Sequence, residues 1–179
     1  MSDYFFLIDL SSAYSNIHLD YFNKQVVHYF NGETPTTQDI ERVVLAELYH
    51  QWRYIMVQKA ERYNNLILHS EIGKRMSESG IQHPDLVLHG GQSGDNRTVN
   101  KILVELKMDV LTKEDIKKCL YAISEPYDYS YAICIVHNLP DFKADIKSNW
   151  DCFEHHKEYF DRFYFMNKEC KLLCLNDLV

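Results

Sequence analysis

The chain has no apolar run long enough to cross a bilayer. Its longest, Tyr131–Val136, falls far short of the ~20 residues a spanning helix needs. Tyr4–Leu7 is apolar, but Asp9 follows at once and no basic segment precedes it, so no signal peptide is expected. The five cysteines (Cys119, Cys134, Cys152, Cys170, Cys174) contain no C-x-x-C pair. Their odd number and scattered spacing point to reduced thiols in a cytoplasmic protein rather than a disulfide framework. Most sit in apolar stretches and read as small buried hydrophobes. The nine histidines contain no H-x-x-x-H pair, and His155 and His156 read as part of a solvated helix, so a zinc site is not expected. No internal repeat or linker interrupts the chain.

What is present suits one globular domain. The chain has 179 residues, 46% hydrophobic and 25% charged, a balance that excludes wholesale disorder. A domain of this size buries roughly 70% of the surface its unfolded chain exposes, enough for a core without staples. The net charge is −7, which speaks against an anionic partner. It is uneven, however. Residues 1–58 carry 3 Lys/Arg against 7 Asp/Glu, and residues 119–179 carry 6 against 10. Residues 59–118 carry 10 against 9, so a site that handles an anion is expected in that middle third.

Periodicity outlines the elements. Ile17, Tyr21, Phe22, Val26, Val27 and Phe30 recur near helical spacing and predict a first helix over 15–30, broken by Gly32 through Pro35. Thr36 or Thr37 then caps a long helix running to about Arg62, with Asp39 and Glu41 in its first turn, where the macrodipole favours them. Its apolar stripe is Ile40, Val44, Leu45, Leu48, Trp52, Ile55 and Met56; Glu41 projects near the middle of that stripe and Glu47 near its edge. A carboxylate on the buried side is costly unless paired. Short β-like segments follow: Leu66–Ile72, Asp85–Leu88 and Ile102–Met108, with a Gly-rich hairpin loop from His89 to Thr98. Thr112 caps a helix to about Ile123, with Glu114 and Asp115 in its first turn. Tyr129–His137 reads as a central strand, 141–159 as another helix, and Phe163–Met166 with Lys171–Leu175 as a closing hairpin. The order predicts a mixed α/β layer arrangement.

Within this frame, Val104-Glu105-Leu106-Lys107-Met108 stands out. Strand alternation puts Glu105 and Lys107 on one face, ~6.5–7 Å apart, and Val104, Leu106 and Met108 on the other. Twenty residues earlier Pro84-Asp85 opens a strand, where a proline costs no ladder donor. A hairpin between the two strands sets Asp85 beside Glu105. Two adjacent carboxylates suit Mg²⁺, a hard cation that keeps several waters, and Mn²⁺ accepts the same oxygens. A neighbouring lysine suits phosphodiester hydrolysis: it orients or helps deprotonate the attacking water and stabilises the charge of the transition state.

The pair Pro84-Asp85 and Glu105-Leu106-Lys107, each half in a strand, resembles the PD-(D/E)XK nuclease superfamily, over about residues 38–137. The resemblance implies a restriction-endonuclease-like α/β core, a mixed central sheet flanked by helices, here with an extra N-terminal helix. It divides a single domain into an extension (1–35), the core motif region (36–137) and a C-terminal helix and hairpin (138–179). It implies a metal site of Asp85 and Glu105, with Lys107 as the water-positioning group. A further glutamate comes from the preceding helix: Glu41, with Glu47 in reserve. It also implies Mg²⁺ as cofactor, DNA as partner and a homodimer that addresses two strands. Lys117, Lys118 and Tyr121 on the helix after the motif are then placed to reach a phosphate backbone.

Lesser candidates surround the motif. Glu71 lies on the strand before Asp85, His83 and His89 flank the Asp85 strand, and Lys74, Arg75 and Arg97 are basic turn residues. Charge on a loop is usually only solvation, and an ordinary surface role is the commoner reading of Glu71 and of the two histidines. The expected function is metal-dependent hydrolysis of DNA with low sequence specificity or structure-selective cutting. The alternatives are a catalytically silent binding module on the same fold, which the negative charge favours, and an acidic protein-binding accessory.

Overall fold

The computed structural model describes residues 3–23, 36–70, 84–90 and 99–179. Helix α1 (Tyr4–Ser15) and a 3-10 turn (Leu19–Phe22) precede the long helix α2 (Thr37–Gln58). Strands β1 (Leu66–Ser70), β2 (Leu86–Gly90) and β3 (Asn100–Lys107) follow, then α3 (Lys113–Ile123) and β4 (Tyr131–Val136). Short helices α4 (Phe142–Ser148) and α5 (Trp150–Phe153) and a 3-10 segment (Lys157–Arg162) lead to β5 (Phe163–Met166), β6 (Leu173–Cys174) and α6 (Leu175–Leu178).

The six strands form one mixed sheet in sequential order, β1-β2-β3-β4-β5-β6. The β1–β2, β2–β3 and β5–β6 pairs are antiparallel, and β3–β4 and β4–β5 are parallel. The chain is thus α/β, with helices on both faces of an open sheet. Period-two alternation divides the core. Val104, Leu106 and Met108 pack with Leu86, Leu88, Ile133 and Ile135 against α1 and α2. Val87, Leu103, Ala132, Cys134 and Val136 face α3, α4 and α5. Glu105 and Lys107 stand on this second face.

Helix α2 buries Ile40, Val44, Leu45, Leu48, Trp52, Ile55 and Met56, the full predicted stripe. Thr36 and Asp39 close its N-terminus as a capping box, and Thr112 and Asp115 do the same for α3. A buried network joins α1 to α2: Lys59 Nζ lies 2.5 Å from Asp9 Oδ1, Tyr63 Oη donates to Asp9 Oδ2 at 3.0 Å, and Trp52 Nε1 donates to Tyr63 Oη at 3.1 Å.

Several elements depart from the sequence expectation. The first helix spans Tyr4–Ser15, not 15–30, and buries Phe6, Leu7, Leu10, Ala13 and Tyr14 in the core. His18, extended at φ −63° and ψ 140°, forbids its continuation, and residues 24–30 lie outside the described segments. Helix α1 buries Asp9 and leaves Ile8 half exposed, an inversion that hides its inward stripe from a simple apolar pattern. Helix α2 ends at Gln58, short of Arg62. The helix expected over 141–159 is broken at Asn149 (φ −110°, ψ 21°), the C-cap of α4, whose backbone N–H and Nδ2 both donate to Asp145 O, at 3.1 and 2.9 Å. His89 lies in β2, buried, not in a loop: its Nδ1 bonds Gly90 O at 2.6 Å and its Nε2 bonds His69 Nδ1 at 3.0 Å. Among the described residues no helix is long and apolar enough to cross a membrane.

Candidate active site

The antiparallel register pairs Leu86 with Val104, and one further step sets Asp85 opposite Glu105. Pro84 has no N–H to offer the ladder. The Asp85 side chain joins the ladder as an acceptor: its Oδ2 takes the Leu106 N–H at 2.7 Å, which fixes the carboxylate at the mouth of β2. Burial pushes the Asp85 carboxyl above its ordinary range, against the opposing pull of Lys107, the Leu106 N–H and Lys118.

Glu105 is the most enclosed polar side chain of the site, with no exposed surface. Its Oε2 accepts from Lys118 Nζ at 2.7 Å, while its Oε1 is buried and has no hydrogen-bond partner among the described residues. Burial, reinforced by the charge of Asp85, pushes this carboxyl up to about 8 despite Lys118 and Lys107. An orphaned, desolvated carboxylate oxygen is costly, and it is the kind of atom a cation satisfies.

Lys107 Nζ lies 4.0 Å from Asp85 Oδ2, 4.0 Å from Glu105 Oε2 and 3.5 Å from Asp115 Oδ1. The two carboxylates of neighbouring strands therefore converge within one ammonium's reach. Burial would lower the lysine pKa, but Asp85, Asp115, Glu105 and Glu41 outweigh it and hold the group above its ordinary value, as a cation.

Glu41 arrives from the first part of α2. Its Oε1 accepts the Met108 N–H at 3.0 Å, satisfying the donor just past the end of β3. A cleft of about 410 Å³ has Glu41, Arg42, Asp85, Lys107, Asp115 and Lys118 in its walls, while Glu105 is not among its lining residues and lies buried beside Lys107 and Lys118. Three carboxyl groups on its walls (Glu41, Asp85, Asp115) stand against three cations (Arg42, Lys107, Lys118), so ionising the adjacent Glu105, whose carboxyl is pushed up to about 8, leaves one excess negative charge for a bound cation to offset. Among the described residues no ready-made cage of three or more His, Cys, Asp or Glu side chains is present. The donor set is instead two carboxylates, Asp85 on the cleft wall and the buried Glu105, and with the cleft open on the Asp85 side it fits a cation that retains much of its water.

The other candidates separate clearly. Glu47 accepts from Gln51 Nε2 at 2.6 Å, and it is not among the residues lining the cleft. Lys117 is exposed on α3, while Lys118 is only 9% exposed and faces Glu105. The expectation that Lys118 reaches outward to a phosphate backbone is therefore corrected: its ammonium is turned inward. Glu71, His83, Lys74, Arg75 and Arg97 lie outside the described residues. Two cleft residues escaped the sequence as site members. Asp115 carried the signature of a first-turn cap, and nothing local shows that its second oxygen turns to Lys107. Arg42 follows Glu41 directly, but its arrival at the rim depends on how α2 docks on the sheet.

Comparison of this chain with family models, with curated proteins and with solved structures finds no match.

Proposed function

We propose that this protein is a metal-dependent nuclease of the PD-(D/E)XK type, built on a restriction-endonuclease-like core and hydrolysing DNA phosphodiester bonds. The observation that carries the proposal is the equal 4.0 Å spacing of Lys107 Nζ from the Asp85 and Glu105 carboxylates, beside a buried Glu105 Oε1 that has no hydrogen-bond partner among the described residues. The fold supports it: an α2–β1–β2–β3–α3–β4 order, with an antiparallel β2–β3 pair and parallel β4, delivers the motif to the edge of a cleft.

Asp85 and Glu105 would hold Mg²⁺ (or Mn²⁺), with Glu41 supplying a further carboxylate at the same end of β3. When bound, the ion polarises the scissile phosphate and lowers the pKa of its water. Lys107, kept protonated by its acidic neighbours, donates to the attacking water and to the developing negative charge. That protonation favours an orienting role over a basic one. Arg42 adds a cation at the rim, 4.0 Å from the Asp39 carboxylate that caps α2.

The test is incubation with plasmid and linear DNA in Mg²⁺, Mn²⁺ or chelator, alongside Lys107→Ala and Asp85→Asn. Metal-dependent cutting abolished by either substitution supports the enzyme. Salt-sensitive binding without cutting supports a silent binding module on the same fold, and the absence of both binding and cutting supports a protein-binding accessory.

A further inference from the structure

Lys107 presents a difficulty for any cation site built on Asp85 and Glu105. Its ammonium already stands against both carboxylates, 4.0 Å from Asp85 Oδ2 and 4.0 Å from Glu105 Oε2. A divalent ion placed there repels it strongly at such range. The ammonium must then be held by something else if it is to remain in the cleft.

Asp115 meets that requirement. Of the three carboxylates facing Lys107 Nζ it is the nearest, at 3.5 Å through Oδ1. Its other oxygen, Oδ2, is fixed by Thr112 N at 3.0 Å and Thr112 Oγ1 at 2.7 Å, and the Asp115 N–H donates back to Thr112 Oγ1 at 3.2 Å. The capping box thus clamps one oxygen of a carboxylate that is only 6% exposed and leaves the other aimed at the lysine. A cap alone needs one oxygen; the second serves the site.

We propose that Asp115 is the positioning residue that draws the Lys107 ammonium aside, so that a divalent cation on Asp85 and Glu105 and the lysine occupy the cleft together. The proposal rests on the metal-dependent reading above. It adds that helix α3 contributes to cation affinity through Lys107, without itself ligating the ion.

The test is calorimetric titration with Mg²⁺ and with Ca²⁺, in the absence of DNA, of the wild-type protein, Asp115→Asn, Lys107→Met and the double variant. Asn keeps an oxygen for Thr112 and loses the charge. The expected result is cation binding weakened roughly tenfold or more in Asp115→Asn, in line with outer-shell substitutions at metal sites. Lys107→Met does not weaken binding, and in its background Asp115→Asn has little further effect. Asp115→Ser tests the same loss of charge by a second route. Thr112→Ala, which removes a cap donor but keeps the carboxylate, lowers the melting temperature without the tenfold loss. Unchanged affinity in Asp115→Asn overturns the proposal, as does a loss that persists undiminished without Lys107, which makes Asp115 a ligand. A wild-type protein that binds neither ion overturns the metal-dependent reading itself. Cation binding with the expected coupling but no DNA cutting leaves this inference standing and removes only the nuclease.

Discussion

Lys118 Nζ and Glu105 Oε2 meet at 2.7 Å in the interior, between a helix residue 9% exposed and a strand residue with no exposed surface. Breaking such a pair from one side leaves a buried charge without compensation. Lys118→Met is therefore expected to destabilise the protein by about 3 kcal/mol when Glu105 is ionised. The loss shrinks at low pH, where Glu105 takes a proton. Thermal melts at pH 6 and pH 9 compare the two; an equal loss at both argues against an ionic pair.

The Glu105 carboxyl also sets a pH dependence. Its folded-state value is raised from 4.5 to about 8 by burial and by Asp85, so the folded protein holds the proton more tightly than the unfolded chain. The stability this provides is complete below about pH 4.5 and is lost as pH rises through 8. Metal-free protein is expected to lose melting temperature across that interval, and Glu105→Gln to flatten the dependence. Added Mg²⁺, which selects the ionised form, should stabilise more at pH 8.5 than at pH 6. A Mg²⁺ effect equal at both, or retained in Glu105→Gln, contradicts the assignment.

Glu41 carries a structural and a chemical role that substitutions separate. Its Oε1 satisfies the Met108 N–H, so Glu41→Ala orphans that donor and costs about 1–2 kcal/mol. Glu41→Gln keeps a carbonyl acceptor and should melt near wild type. If the charge serves the ion, Glu41→Gln nevertheless weakens Mg²⁺ binding and DNA cutting. Wild-type values for both would confine Glu41 to holding the end of β3.

A control lies on the far side of the sheet. Asp9, 1% exposed, accepts from Lys59 and Tyr63 and locks α1 to α2. Asp9→Ala is expected to cost about 2 kcal/mol, a moderate figure because Lys59 remains partly in solvent. Cation affinity measured well below the melting temperature should not change. A loss of cation binding in this variant would show that α1 positions the site.

Much of this architecture was legible because it is written in local periods. The seven-residue stripe of α2, the T-x-x-D boxes at Thr36 and Thr112, and the alternation that sends Glu105 and Lys107 to one face of β3 follow from backbone geometry alone. Where local pattern and burial disagree, the sequence misled. Helix α1 buries Asp9 and exposes Ile8, and the 141–159 segment breaks at Asn149, whose non-helical backbone composition does not announce.

The sequence by itself determined which residue types share a strand face and which helices carry an apolar side, because those depend on residue spacing of two or 3.6. Only the tertiary structure decided that Lys118 turns inward to Glu105, that Asp115 spends one oxygen on its helix and the other on Lys107, and that Glu41 reaches Met108 across 67 residues of chain. Those meetings are set by how α2 and α3 pack over the sheet. Packing is a property of the whole core, and no local spacing encodes it.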